Sequence, residues 1–333
     1  MSMTLKKYIF PVLLSVCVVS EKGMGQTVLH SHFTGNEKVQ LEKQQDSLTA
    51  FAYEIVNAPE AEQRFRADSF FIRMLVRSLK IPNSFYFPFD SLQTISKLYA
   101  PDSSFRIFTW QIKKDEYVYF QRGAIQMKTD DGSLKLFPLH DYSTFTSKPA
   151  DSIRNANNWI GAIYYRIIEK NVNGKKVYTL LGFDDFTINS NKKWMDILTF
   201  NDQGQPVFGG PYFSFKNDSA KASKTPVVRF YIEYKKEAST TFNYDTTLNM
   251  IIYDHLISES EEPNRKETFV PDGDYEGFTW QNGQWLHVPK VFNSTLEDGQ
   301  FPAEKKILND AGGIDEDALK AQSEKNKKKP PTP

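Results

Sequence analysis

Phe105-Arg106-Ile107-Phe108-Thr109-Trp110, residues 105–110, marks the point where the hydrophobic period of this chain changes. Upstream, apolar residues recur at helical spacing; downstream, they follow the period of two that is typical of half-buried strands. Such segments continue as far as residues 284–288, which predicts about ten strands joined by short turns. Short connections favour antiparallel pairing, because parallel strands need a long crossover. We therefore expect a large antiparallel β-meander over residues 101–292.

Two amphipathic helices are predicted within residues 26–100. The first covers residues 37–57 and ends at Ala58-Pro59, because proline cannot continue the hydrogen-bond ladder. The second covers residues 60–80 and ends before Ile81-Pro82. The predicted fold class is therefore α+β, with N-terminal helices packed on the antiparallel sheet.

Turn residues divide the β region into hairpins. Asp130-Asp131-Gly132-Ser133 and the Asn-Gly pairs at 173–174 and 282–283 each lie between two apolar segments. Asn-Gly suits a type I′ turn, in which both central residues have positive φ. We also expect residues 227–234 to pair with residues 240–244.

A β-propeller-like repeat is the alternative architecture. Thr199-Phe200-Asn201 and Thr241-Phe242-Asn243 each precede a turn and an apolar strand, which hints at a repeated hairpin unit. Two copies of three residues do not establish a period, so the meander is favoured.

Residues 1–25 have the features of a signal peptide. Lys6 and Lys7 precede an apolar run at residues 8–19, which is too short to cross a bilayer as a helix. The small residues at Gly23 and Gly25 suit cleavage before Gln26. The sequence thus predicts a periplasmic or secreted protein with no transmembrane segment in the mature chain.

Cys17 raises the alternative of a lipoprotein. Bulky Val16 occupies the place of the small residue that normally precedes a lipidated cysteine, so signal-peptide cleavage is favoured. Cys17 is also the single cysteine of the chain, and its removal excludes disulfides and thiolate metal sites from the mature protein. At the other end, residues 293–333 lack apolar periodicity and are predicted to form a flexible tail.

Charge and motif content exclude several classes of protein. The chain has 41 basic and 41 acidic residues, whereas a charge-driven nucleic-acid binder carries a basic excess. It contains no Gly-x-Ser-x-Gly elbow, no His-Glu-x-x-His, no phosphate-binding loop and no dinucleotide fingerprint. Aromatic residues make up 14% of the chain, and we expect most rings, including Trp110, Trp194 and Tyr234, to lie in the core.

Four carboxylates are candidates for acid–base chemistry. Asp184 and Asp185 follow a predicted strand, Asp196 lies on the next strand, and Asp254 lies further along. Paired carboxylates of this kind hydrolyse glycosidic bonds or collect a hard cation. The competing interpretation is that they cap turns, which is the common role of aspartate at a strand end.

Asp254-His255 is a candidate acid–histidine pair, and His140-Asp141 is a second pair with the same geometric weakness. Neighbours on a strand point to opposite faces, so the two side chains cannot form a dyad without a bend. His255 shares a face with Ile251 and Tyr253, which favours a structural role.

Asp272, Asp274 and Glu276 resemble the first half of a calcium loop, with oxygen ligands at every second position. The twelfth position of that loop is Gly283, where a full loop carries a bidentate glutamate. These three residues are therefore candidate metal ligands, and no other cofactor is predicted.

The order of several motifs resembles an uncharacterised family of secreted or periplasmic proteins from Bacteroidota-type bacteria. The motifs are residues 105–110, Tyr178-Thr179-Leu180-Leu181-Gly182-Phe183-Asp184, Asp254-His255-Leu256 and Pro271-Asp272-Gly273. Where that family tends to show Gly-Trp-Asp-Gly, this chain has Gly182-Phe183-Asp184-Asp185. The resemblance implies an exported α+β protein and implies no activity, catalytic residue or cofactor.

The sequence is most consistent with an exported, non-catalytic protein that binds an envelope protein or a glycan. The alternative is a secreted hydrolase of the glycan type that uses paired carboxylates.

Overall fold

The computed structural model describes residues 33–216, 218, 221 and 227–292. The predicted signal peptide at residues 1–25, Cys17 and the predicted tail at residues 293–333 lie outside this range, and their assignments stay predictions. In the described part, no helix has both the length and the apolar character needed to cross a membrane.

Both predicted helices are present. Helix α1 spans Gly35–Asn57 and α2 spans Ala61–Leu79. Thr34 begins α1 with a capping box: its hydroxyl accepts from the Glu37 amide at 3.3 Å, and the Glu37 carboxylate accepts from the Thr34 amide at 2.7 Å. Pro59 lies between the helices, as its missing amide hydrogen predicts.

Strands make up most of the remaining chain. Within the described residues they are β1 (Ser96–Tyr99), β2 (Phe105–Lys113), β3 (Tyr119–Met127), β4 (Lys135–His140), β5 (Arg154–Asn155), β6 (Ile163–Val172), β7 (Lys175–Asp184), β8 (Ser190–Phe200), β9 (Pro206–Phe208), β10 (Phe213–Ser214), β11 (Phe230–Lys235), β12 (Phe242–Asp245), β13 (Met250–Ser258), β14 (Phe269–Gln281) and β15 (Gln284–Val288).

These strands form three sheets. The first sheet has the order β1-β2-β3-β4, and the central sheet has the order β5-β9-β8-β7-β6 with β11 also paired to β8. The third sheet has the order β10-β15-β14-β13-β12. All pairs are antiparallel except β10 with β15. The α+β class is thus present, but the expected single meander is divided into three sheets, and the described residues show no closed barrel or propeller.

The layers are stacked as helices, first sheet, central sheet and third sheet. Phe108 and Trp110 on β2 pack with the helices, whereas Phe105 and Ile107 pack with the central sheet. Similarly, Leu180 on β7 faces the first sheet. Its neighbour Leu181 faces the third sheet. The central sheet is therefore buried on both faces, which explains why residues 177–183 of β7 are mostly apolar.

Tight turns behave as the sequence predicts. Asn173 and Gly174 between β6 and β7 have φ values of 52° and 81°. Asn282 and Gly283 between β14 and β15 have φ values of 50° and 78°. Positive φ at both central positions is the requirement of a type I′ turn, so these two hairpins are fixed by local sequence.

Two strand predictions are wrong. The alternation of apolar residues predicts separate strands at residues 116–120 and 124–129, but the single strand β3 runs through Gly123. A Cβ on Gly123 would lie 3.1 Å from both the Phe108 carbonyl oxygen and Leu139 Cδ1, so glycine here allows close packing and does not mark a break.

The expected pairing of residues 227–234 with residues 240–244 is also wrong. Strand β11 pairs with β8, and β12 pairs with β13 in another sheet. Lys192 on β8 lies directly opposite Glu233 on β11, and their charged groups are 3.5 Å apart. This cross-strand ion pair and the burial of β11 on the central sheet favour the long-range partner over the sequence neighbour.

Candidate functional site

A pocket with a volume of about 290 Å³ opens where β11 of the central sheet meets β13 and β14 of the third sheet. We call it the β11–β13 pocket. Its principal lining residues are Phe230, Ile232, Tyr253, His255, Leu256 and Glu276. One side is apolar, and the other carries a cluster of ionisable groups.

Glu276 is the centre of this cluster. Its Oε2 atom accepts from the Tyr253 hydroxyl at 2.6 Å and lies 2.8 Å from His287 Nε2. Lys221 Nζ donates to the same oxygen. Tyr253 is directly opposite Glu276 in the β13–β14 ladder, so strand register brings them together. Because an ionised carboxylate only accepts hydrogen bonds, Glu276 serves as a shared acceptor.

His287 lies beneath the pocket between two carboxylates. Its side chain is 0% exposed, its Nε2 contacts Glu276, and its Nδ1 is 3.2 Å from Asp218 Oδ2. Strand β15 carries it on the face opposite to that of its neighbours Leu286 and Val288. The hydrogen-bonding distance at Nε2 orients this buried imidazole, whereas Nδ1 is close to Asp218 without a well-formed hydrogen bond.

His255 occupies the mouth of the pocket. Its Nδ1 is 2.7 Å from Asp272 Oδ2, and its Nε2 is 3.6 Å from Glu276 Oε1. The side chain is 39% exposed, so the imidazole is partly open to solvent. His255 forms no dyad with Asp254, as strand geometry predicts, and its partner is Asp272.

A bulge in β14 makes this His255–Asp272 contact. The β13–β14 ladder pairs Asp254 with Tyr275 and then Leu256 with Pro271, so three residues of β14 oppose His255 alone. Gly273 within the bulge has a φ of 94°, a conformation that glycine adopts without strain. Bulges bend a strand and redirect a side chain, which here is Asp272.

The pKa values of the cluster follow from its geometry. Burial raises the pKa of Glu276, but hydrogen bonds from His287, Lys221 and Tyr253 outweigh burial and hold the pKa at about 2. Burial and the adjacent Glu276 charge raise the pKa of Tyr253 well above its ordinary value. Glu276 is therefore an anion and Tyr253 a neutral phenol across the physiological range.

The three candidate calcium ligands lie in or beside the bulged part of β14. Asp272 binds His255, Asp274 is exposed with its carboxylate 3.3 Å from Lys290 Nζ, and Glu276 points into the buried cluster. Among the residues that the structure describes, no three His, Cys, Asp or Glu side chains are grouped as a metal site. The three candidate ligands thus face different protein partners.

The four candidate carboxylates do not form one cleft. Asp185 pairs with Lys236, and Asp254 accepts from the Thr241 amide. Asp184 lies opposite Lys192 in the ladder, whereas Asp196 lies opposite Leu180.

Lys192, which lies opposite Asp184, precedes Asp196 by four residues on β8. Asp184 and Asp196 are therefore offset by about 13 Å along the strand direction. A glycosidase pair spans about 5–9.5 Å. We therefore find no such pair between these two residues.

Asp184 is nevertheless unusual, because it is buried and accepts from Gln121 Nε2 at 2.8 Å. Burial raises the pKa of Asp184 to about 7, although Lys192 opposes the shift. The fold thus favours the protonated form. The contribution of Asp184 to the free energy of unfolding is therefore fully present below its unfolded pKa of about 4 and is lost as the pH rises to about 7.

We expect Asp184→Asn to remove this pH dependence. The difference in unfolding free energy, variant minus wild type, should rise between pH 4 and pH 7 and then stay constant, because asparagine keeps the neutral state. Urea unfolding at intervals of one pH unit measures it. A difference that does not change with pH would contradict a protonated buried Asp184.

Sequence reasoning missed His287, Lys221 and Asp218 as partners of this cluster. One signal was available: the Asn-Gly turn at 282–283 fixes the register of β14 and β15, pairing Phe278 with His287. Glu276 is two residues from Phe278 and therefore faces His287 diagonally. No comparable local signal existed for Lys221 or Asp218, which approach from a separate segment.

Comparison with known protein families, curated proteins and solved structures gives no match for this chain. The family resemblance stated from the sequence therefore stays a prediction. Any functional conclusion depends on the residues themselves.

Proposed function

We propose that this chain is an exported, non-catalytic binding protein of the cell envelope and that the β11–β13 pocket holds its ligand. Export is inferred from the predicted signal peptide at residues 1–25. The observation that supports binding most directly is the two-sided lining of the pocket. Ligand sites commonly combine an apolar wall with a few fixed polar groups.

The lining indicates the chemistry of the ligand. Phe230, Ile232 and Leu256 supply an apolar surface, and His255 with Lys221 supplies hydrogen-bond donors on the other side. A volume of about 290 Å³ is at the small end for ligand pockets. A compact molecule with one apolar face and several hydroxyl or acidic groups, such as a monosaccharide from an envelope glycan, fits this description.

The state of Glu276 favours binding over acid–base catalysis. A general base works best when its pKa is close to the operating pH, but the pKa of Glu276 is about 2. Its Oε2 already accepts from three protein donors, which leaves it little capacity to take a proton from a substrate. Glu276 instead organises the floor of the pocket.

One observation supports a hydrolase as the second candidate. His255 is oriented by Asp272 at 2.7 Å and presents Nε2 towards the pocket. An imidazole held by a carboxylate is the usual arrangement of a general base. A hydrolase that uses His255 would differ from the paired-carboxylate hydrolase expected from the sequence.

Filling the pocket tests the binding proposal. We expect Leu256→Trp to weaken ligand binding at least tenfold, because the larger ring occupies the apolar side of the pocket. The matched control is Ile257→Trp: Ile257 is the next residue on β13, is 46% exposed and does not line the pocket. Calorimetry with N-acetylglucosamine, glucose, L-lysine and L-phenylalanine measures binding, and thermal melts check folding.

The outcomes separate the two candidates. A binding protein is supported if the wild type and Ile257→Trp bind a compound saturably and Leu256→Trp does not. Equal binding by both variants, or no binding by any of the four compounds, argues against this pocket as the proposed site. Turnover of a chromogenic glycoside that His255→Gln abolishes, with an unchanged melting temperature, would favour the hydrolase.

A further inference from the structure

A second cavity lies between α2 and the first sheet, and we call it the helix–sheet cavity. Its volume is about 400 Å³. Apolar side chains from α2 and β4 form its walls: Ile72, Leu75, Val76, Leu79, Leu136 and Leu139. The cavity is open to solvent beside Ile72, and its volume leaves room for a small ligand.

Polar groups line this cavity at the end of β4. Arg122 on β3 lies directly opposite His140 on β4, and both line the cavity together with Asp141. The polar groups are thus gathered at one end of an apolar space, which is the arrangement that orients an amphipathic molecule.

The charged groups at this end already have protein partners. Arg122 Nε is 3.3 Å from Asp68 Oδ2, and Trp110 Nε1 holds the other Asp68 oxygen at 2.8 Å. Asp141 accepts from the backbone amides of Ser143 and Gly161 at 2.9 and 3.2 Å. A ligand with a full charge of either sign would have to compete with these contacts.

Arg122 still has donor capacity. Its NH1 group donates to the Gln121 carbonyl at 3.3 Å, and within the described residues its second terminal nitrogen has no hydrogen-bonded protein acceptor. The Arg122 side chain is 31% exposed, so it can reach a ligand at the mouth of the cavity. An uncharged oxygen can accept from this nitrogen without disturbing the pair with Asp68.

We propose that the helix–sheet cavity binds an uncharged amphiphile, with its apolar part along α2 and a hydroxyl or carbonyl oxygen at Arg122. At roughly 30 Å³ for a group the size of a water molecule, the cavity holds on the order of ten heavy atoms. This site is separate from the β11–β13 pocket and does not depend on the function proposed for it.

Three ligands of equal chain length test the charge argument: 1-octanol, octanoate and octylamine. Calorimetry on the full chain at pH 7 should show 1-octanol binding at least tenfold tighter than either ion. Tighter binding of octanoate or octylamine would overturn the proposal, as would the absence of octanol binding up to its solubility limit.

Paired variants on α2 test the location. Val76→Phe fills the cavity and should weaken octanol binding at least tenfold, whereas Arg77→Phe, at the next and exposed position, should leave it unchanged. If Val76→Phe fails to fold, Ile72→Phe at the cavity mouth is the replacement. The proposal would be overturned if the cavity variants kept their affinity for octanol. It would also be overturned if Arg77→Phe weakened octanol binding as much as the cavity variants do.

Discussion

Replacing Arg229 by methionine is expected to lower the free energy of unfolding by about 3–5 kcal/mol. The Arg229 side chain is 0% exposed, and its Nε is 3.2 Å from Asp196 Oδ1. It also donates to the carbonyls of Pro149 and Ser152. Its removal leaves Asp196 buried without a counter-ion, and burial already raises the pKa of this carboxyl. Urea unfolding at pH 7 measures the loss.

A double-mutant cycle is the control. Asp196→Leu alone should also destabilise the protein, because it leaves a buried cation. The double variant should be more stable than the sum of the single effects predicts, with a coupling energy of at least about 1.5 kcal/mol. Additive effects would mean that the interaction between Arg229 and Asp196 does not stabilise the fold.

Glu276→Gln is expected to destabilise the protein by about 3 kcal/mol at pH 7, since the pKa of Glu276 falls from 4.5 unfolded to about 2 folded. When folding lowers the pKa of a carboxyl, its ionised form stabilises the fold. This stabilisation is fully present above the pKa of the unfolded state and is lost as the pH falls through the pKa of the folded state. The difference between wild type and variant should therefore be constant above about pH 5 and shrink towards pH 2.

The control for this prediction is Asp274→Asn on the same strand. The Asp274 side chain is 60% exposed, and its contact with Lys290 is a surface ion pair, which is worth little. Unfolding followed from pH 7 down to pH 3 compares the two variants. A constant Glu276→Gln effect over this range would show that the charge of Glu276 does not stabilise the fold.

Local sequence was sufficient for the elements themselves. Proline ended the helices and glycine formed the turns. Apolar periodicity located α1, α2 and most strands. The Asn-Gly turns even fixed the register that brings Glu276 towards His287. The rings of Trp110, Trp194 and Tyr234 are buried as expected, because large apolar groups in alternating strands face a core.

Which strands share a sheet was beyond local sequence. Strand β11 joins β8 rather than its neighbour β12, because pairing depends on the two faces that the assembled layers bury. The candidate site shows the same limit. His255 and Asp272 were each identified from sequence, but only the bulge in β14 makes them partners.

The amino-acid sequence by itself determined the α+β class and the hairpins closed by short turns, since these depend on residues close together in the chain, while the export signal stays a prediction. The tertiary structure alone decided the division into three sheets, the partners of Asp184 and Asp196, and the approach of Tyr253, Lys221 and Asp218 to Glu276 and His287. The physical reason is that long-range pairing and charge burial are set by the total packing of the layers, to which every distant segment contributes.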